Sequence, residues 1–348
     1  MEQAVVVIMG KTSEGGQMAI KSSRGAALII VLFIVALASI LAVEMSANLL
    51  VQVQKSTNIQ GHQQAKWYAY AAEELAIKAI LQSKKDDPDK TTLKQIWAQQ
   101  GDIPYPVDNG TLQGNITDLQ ACLNLNALRA PAAQTGSTGT NKTNPAHSAL
   151  LALLENIENL PAEESEEAMA DSVYDWLDED SITYRSGAEE DEYLSRQTPY
   201  MTANSYFAST SELRLVKGFN PLVMEKVLPY VCVIPGSELL AINVNTLAPE
   251  QALLLSALID GLSESGAQAV LSARPEEGFT DIEEFFEQVN QQGAQNVKSV
   301  ENLFTIKSEY FKLQAQAKFV DLRFSMTTLL QAKNGEVTIL ARKFGGVQ

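Results

Sequence analysis

Residues 26–43 read AALIIVLFIVALASILAV, an apolar run of eighteen without a charge, and they follow Lys21-Ser22-Ser23-Arg24-Gly25 directly. As a helix rising about 1.5 Å per residue the run would be roughly 27 Å long, close to the hydrocarbon thickness of a bilayer. One membrane span is therefore expected. Lys21 and Arg24 precede it and Glu44 follows it, so the charge bias keeps the N-terminus cytoplasmic and sends the bulk of the chain across the membrane, to the periplasm or the cell exterior. A secretory signal peptide and a plain anchor are the competing readings. Against the signal peptide, the run exceeds a usual h-region, and a helical pattern continues through Trp67, Tyr68, Ala71, Leu75, Ile77 and Leu81 without a break.

Working outward, Leu49, Val53, Trp67, Ala71, Leu75 and Ala79 recur at helical spacing. They predict a continuous helix over 26–85 with one apolar stripe, stopped by Asp86-Asp87-Pro88. Residues 86–129 begin a head domain, with a helical patch at Ile96-Trp97 and, in ITDLQACLNLNAL (116–128), an alternation at Leu123 and Leu125 that predicts a strand. Ala, Thr, Gly, Ser and Asn dominate 130–146, which reads as a linker. The middle is expected to be all-helical and in two units. The first, 147–240, has helical patterns at 147–160, 168–177 and 210–216 and an acidic loop; the second, 241–300, has them at 249–262, 266–273 and FTDIEEFFEQV (279–289). Both resemble helix-hairpin-helix or SAM-like modules. Over 301–348 the period becomes two, and Asn334-Gly335 between apolar alternations is a hairpin signal. The expected fold class is α+β: a long N-terminal helix on an antiparallel sheet, with a large helical domain inserted.

The 348 residues carry a formal charge of −16, and it is concentrated: 155–192 hold fifteen Asp or Glu against Arg185 alone. Helix-hairpin-helix units often bind nucleic acid, but phosphate binding needs clustered Lys and Arg, so nucleic acid is excluded as a partner. Cations or a basic surface suit the segment. In YDWLDEDSITYRSGAEEDEY (174–193), Asp175, Asp178, Asp180, Glu189 and Asp191 are hard oxygen ligands of the kind Ca²⁺ takes, and Asn204 is a further candidate. An EF-hand loop started at Asp178 places Asp180 at position three and Glu189 at twelve, yet Ile182 and Thr183 occupy five and six. The EF-hand pattern fails, and a calcium loop of another kind is expected. A solvated acidic face is the plainer alternative. Gly187 and the aromatic Trp176, Tyr184 and Tyr193 favour a folded loop, and so many carboxylates fold together only when a cation offsets their repulsion. Cys122 and Cys232 either pair in an oxidising periplasm or stay as two buried thiols. The only histidines are His62 and His147; neither implies a base beside a nucleophile, and an enzyme is not expected.

The basic residues ending in Gly25, the small Ala26 and the aliphatic helix running into an amphipathic one resemble the type IV pilin and type II secretion pseudopilin family. That resemblance implies cleavage by a prepilin peptidase between Gly25 and Ala26, removing a leader 1–25. Translation from Met1 or Met18 yields the same mature chain. Ile30 then stands at the fifth mature position, where the family usually carries a Glu that pairs with the α-amine of the preceding subunit. Ile30 cannot make that pair and buries no unpaired acid, which suits a subunit with no neighbour ahead of it. LNLNAL (123–128), YDWLDED (174–180), SGAEEDEYL (186–194), PYMTAN (199–204), SELRLVKGF (211–219), LPYVCVIPG (228–236) and INVNTLAP (242–249) look, in this order, like recurring segments of the minor pseudopilin K family. The resemblance implies a structural tip subunit of the type II secretion pseudopilus, anchored in the inner membrane, carrying calcium, and assembled with minor pseudopilins I and J. Contact with the outer-membrane channel or the cargo is a further expectation. The alternative is a single-pass anchored periplasmic calcium-binding scaffold or adhesin with no filament role.

Overall fold

The computed structural model describes residues 24–99, 104–130 and 144–345; residues 1–23 of the expected leader 1–25 and 131–143 of the expected linker 130–146 lie outside the described residues. The first element, α1 (Arg24–Asp86), is one helix. It ends just before Pro88, whose ring disfavours helical backbone in the residue before it. The chain divides into two compact units, residues 1–60 and 61–348. In the first, residues 26–60 of α1 are exposed throughout, Phe33 at 67% and Leu50 at 70%, and the helix is long and apolar enough to cross a membrane.

In the second unit, after a single turn α2 (Ile96–Gln99), a short hairpin of β1 (Tyr105–Val107) and β2 (Gly110–Asp118) starts a five-stranded antiparallel sheet of order β1-β2-β7-β8-β9. The last three strands are β7 (Tyr310–Phe319), β8 (Leu322–Lys333) and β9 (Glu336–Phe344). Asn334 (φ +54°) and Gly335 (φ +79°) make the β8–β9 turn, the pair of left-handed residues that a two-residue hairpin demands. β2 pairs with β7 along its whole length, from Gly110 opposite Phe319 to Asp118 opposite Phe311. Residues 119–309 therefore leave and re-enter between neighbouring strands, as an insertion into the head.

The face of α1 on this sheet differs from the expected stripe. Ala65, Ala69, Ala72, Ala76 and Ile80 are buried, whereas Trp67 is 64% and Leu75 54% exposed. Alanines spaced by three and four let the helix lie close to Leu112, Ile116, Leu313 and Leu330 of the sheet; the larger side chains turn outward. Glu73, on the buried side, accepts hydrogen bonds from Arg342 at 2.7 and 2.8 Å and from Thr328 at 2.8 Å.

Inside the insertion, 123–128 is not a strand of the head. Only β3 (Leu123–Asn124) is extended, in a parallel pair with β4 (Val231–Cys232); 125–129 is a 3₁₀ turn. The Asn124 side chain caps that turn, and Asn126 donates to the carbonyls of Phe207 and Ile234, so these alternating residues are pinned to the helical layer. A second parallel pair joins β5 (Ile242–Asn243) to β6 (Phe304–Thr305), so the middle is not wholly helical. Its helices are α3 (Pro145–Asn156), α4 (Glu166–Leu177), α5 (Glu190–Leu194), α6 (Pro221–Val227), α7 (Ala252–Leu258), α8 (Glu264–Ala273) and α9 (Ile282–Gln291). One apolar core runs from Leu123 through Leu150, Val173 and Val223 to Leu254, Val270 and Phe285. The two expected units thus share a core, because α3 packs on both α4 and α7.

Polar groups join the insertion to the head. Asp118, at the end of β2, accepts from Thr246 Oγ1 (2.6 Å), Asn243 Nδ2 (3.3 Å), the Gln120 amide (2.8 Å) and Ser308 Oγ. Burial pushes its pKa up. Beside this cluster Cys122 and Cys232 are bonded, with their Cα atoms 5.8 Å apart.

Candidate functional site

The acidic segment folds into a loop between α4 and α5. Ser165 caps the start of α4 with its hydroxyl on the Ala168 amide, and Glu166 and Glu167 sit favourably in its first turn. At the other end α4 delivers Asp175 one turn before the C-cap residue Asp178. The chain returns to place Glu189 just before α5. Carboxylate oxygens of Asp175, Asp178 and Glu189 lie within 4.8 Å of one another. Asp178 and Glu189 are the first and twelfth positions of the failed EF-hand alignment; what replaces its middle is Asp175, reaching in from the helix.

Each of the three keeps a buried oxygen without a hydrogen-bond partner: Asp175 Oδ2, Asp178 Oδ1 and Glu189 Oε1, and Asn204 Oδ1 is in the same condition. All four are acceptors, and unsatisfied buried acceptors are costly unless a donor or cation meets them. In three of them the other polar atom is engaged. Asp175 Oδ1 accepts the Tyr184 amide at 3.0 Å, Glu189 Oε2 accepts Thr202 Oγ1 at 3.4 Å, and Asn204 Nδ2 donates to the Asp180 carbonyl at 3.1 Å. Burial pushes the Asp175 pKa up to about 7, with the charges of Glu189 and Asp178 adding to it. Burial and the Asp180 charge push Asp178 up to about 6, and burial followed by the Asp178 charge raises Glu189. Among the described residues, no cationic side chain forms an ion pair with these three carboxylates, and oxygens converging in this way are of the type that a hard cation such as Ca²⁺ takes. Asp180 and Asp191 are exposed and stand outside the trio; Asp180 Oδ1 instead accepts the Ile182 amide at 2.8 Å.

Gly187 is required by this packing, since a Cβ there would lie 2.2 Å from Asp175 Oδ2 and 2.9 Å from the Asp171 carbonyl oxygen. Behind the trio, Trp176 meets Tyr193 edge-on at 5.3 Å between ring centres, and Tyr184 packs on Tyr174 at 4.8 Å. A further group was not legible beforehand. His147 Nε2 lies 2.8 Å from Asp171 Oδ1, both buried, while Asp171 Oδ2 accepts the Ser186 amide at 3.1 Å. This pair ties α3, α4 and the loop together. Its only sequence signal was a lone His at the start of a helical pattern.

A long helix laid on an antiparallel sheet, with a helical insertion between adjacent strands, defines a pilin-like subunit. The family described as type II secretion system (T2SS), protein K matches residues 121–236 and 242–307. Type II secretion system protein K of Aeromonas hydrophila is 35% identical over 327 residues, covering 93% of this chain and 98% of that one. The protein of the same name from Pectobacterium carotovorum is 33% identical, covering 93% and 97%. Among solved structures, the GspK–GspI–GspJ complex of the enterotoxigenic Escherichia coli type 2 secretion system matches with a TM-score of 0.73 and 29% identity, over 84% of this chain and 100% of that one. The chain belongs to the type II secretion system protein K family, minor pseudopilins that are structural parts of a secretion machine.

Proposed function

We propose that this chain is the tip subunit of a type II secretion pseudopilus, starting and capping the filament together with minor pseudopilins I and J. The observation that carries the reading is Ile30 in place of the family's Glu. Without that carboxylate the subunit has nothing to offer the α-amine of a preceding subunit, and an apolar side chain inserts into the bilayer at no electrostatic cost. The insertion 119–309 supports capping by its bulk, since it is larger than the head it interrupts. The partners are inferred from the related complex, which contains GspI and GspJ. Prepilin peptidase cuts between Gly25 and Ala26, 26–43 lie in the inner membrane with the N-terminus cytoplasmic, and the head and insertion occupy the periplasm, within reach of the outer-membrane channel and the cargo.

Calcium belongs to this reading. Asp175, Asp178, Glu189 and Asn204 are the residues that would hold it. A bound Ca²⁺ supplies the positive charge and coordination that let these carboxylates ionise together. The chain's own part is to close the 178–189 loop on α4 through Asp171, Asp175 and Gly187.

The first experiment is N-terminal sequencing and mass measurement of the protein from cells with and without the peptidase. A start at Ala26 that needs the peptidase is expected; an intact leader, or a cut beyond residue 43, removes the pseudopilin reading. Ile30→Glu is then expected to impair pseudopilus initiation and secretion, and a variant that secretes normally would show that the missing charge does not set the tip position.

A further inference from the structure

The charge of this acidic chain reverses locally at one cleft. A space of about 620 Å³ opens between the last turn of α1, the segment before β7 and the β8–β9 turn, and it is lined by Lys84, Lys85, Lys307 and Lys333 against Glu309 and Glu336. Leu81 on α1, Pro88 and Ala332 on β8 add apolar wall, and Asn334 and Gly335 of the β8–β9 turn complete it. Lys84 is half-buried, and its Nζ donates to the Ser308 carbonyl at 2.5 Å and to Thr91 Oγ1 at 3.1 Å. Both partners are neutral, and among the described residues no carboxylate lies within ion-pair distance of it. Burial pushes its pKa down, and the buried Asp118 charge only partly offsets this.

The two outer lysines already hold carboxylates. Lys307 pairs with Asp89 at 3.0 Å and Lys333 with Glu309 at 3.4 Å, on side chains 50% and 56% exposed. Such exposed pairs are weak, so an incoming carboxylate can replace either internal one at little cost. Lys85, also exposed, is free of such a pair among the described residues. A ligand that satisfies the cleft therefore carries two or more carboxylates, spaced by short aliphatic groups that cover Leu81 and Ala332. Nucleic acid has neither the aliphatic groups nor tolerance of the −16 charge around it.

We propose that this cleft docks an acidic peptide segment, with Asp or Glu alternating with small apolar residues, presented by a partner protein. Electrostatic complementarity of this kind sets partner choice and encounter rate more than raw affinity, and the negative charge of the 155–192 segment would repel an acidic segment offered there.

The test uses the full chain in detergent at fixed calcium and fluorescence anisotropy of a labelled peptide, Leu-Glu-Ala-Glu-Leu-Asp. Saturable binding is expected, weakened at least tenfold by the double substitution Lys85→Glu, Lys333→Glu and weakened by raised salt, but unchanged by Lys298→Glu at an exposed site away from the cleft. Lys84 is left intact because it also holds Ser308 and Thr91. No binding, or equal loss with Lys298→Glu, overturns the proposal. Displacement by citrate at the peptide's own concentration would make the cleft a small-anion pocket and overturn the peptide assignment.

Discussion

Gly187 shows how narrowly the loop is built. With Asp175 Oδ2 only 2.2 Å from where a Cβ would stand, Gly187→Ala must push the carboxylate or the loop aside. A loss of about 1–3 kcal/mol from overpacking is expected, with a larger loss of calcium affinity; calorimetric titration and thermal melts with and without calcium measure the two separately. Proton linkage at the same residues has a definite sign. The folded pKa values of Asp175 and Asp178, about 7 and about 6, lie above those of the unfolded chain, so the calcium-free fold binds extra protons over roughly pH 4–7. These groups stabilise it fully below that window, and the contribution is lost as pH rises through the folded values. Melts in chelator should thus show stability falling from pH 5 to 7.5, and saturating calcium should flatten or invert the trend. A calcium-independent profile would argue against metal at this site.

At the scale of elements, α1 joins the head through small side chains and one ion pair, between the buried Glu73 and the partly exposed Arg342. Alanines alone offer little apolar area, so Glu73 with Arg342 and Thr328 pins the register of helix on sheet. Burial by itself would raise the Glu73 pKa; hydrogen bonds from Arg342 and Thr328 and the Arg342 charge outweigh it and hold the pKa below the ordinary value. Removing one partner of a buried pair leaves an uncompensated charge and typically costs about 3–5 kcal/mol. Arg342 is partly exposed, so Arg342→Ala should cost toward the lower end, read as a lowered denaturation midpoint of the head. Double substitution with Glu73→Gln should recover part of it. On the opposite face, exposed Trp67 and Leu75 suit the packing of neighbouring subunit helices that the filament reading requires.

For the molecule as a whole, the decisive fact is where the insertion sits. It enters and leaves at the ends of paired strands, β2 and β7, and Asp118 with Asn243, Thr246 and Ser308 holds the two crossings together. The Cys122–Cys232 link, separated by 110 residues, closes a loop around much of the insertion, and constraining so long a loop in the unfolded chain is worth about 2–5 kcal/mol. Cys232→Ser, or reduction of the unaltered chain, should therefore lower the melting temperature and raise protease sensitivity of 119–236 before that of the sheet. Equal stability in both redox states would mean that the thiols do not pair in the protein.

Much of this was legible in the sequence because it is encoded locally. Eighteen apolar residues make a membrane-length helix wherever they occur; Asn334-Gly335 turns a hairpin by its own backbone preference; the alternation before and after it makes strands that bracket the helical middle. Asp175, Asp178 and Glu189 could be singled out because dense carboxylates in an aromatic-rich loop need a counter-charge. Tertiary structure alone decided which face of α1 the sheet accepts, since only close approach distinguishes the stripe of Ala69, Ala72 and Ala76 from that of Trp67, Ala71 and Leu75. It alone sent 123–128 into the insertion's core, left Asp180 and Asp191 in solvent, and brought His147 to Asp171 and Asn243 to Asp118. Each of these depends on contacts between segments distant along the chain, and no local period carries that information.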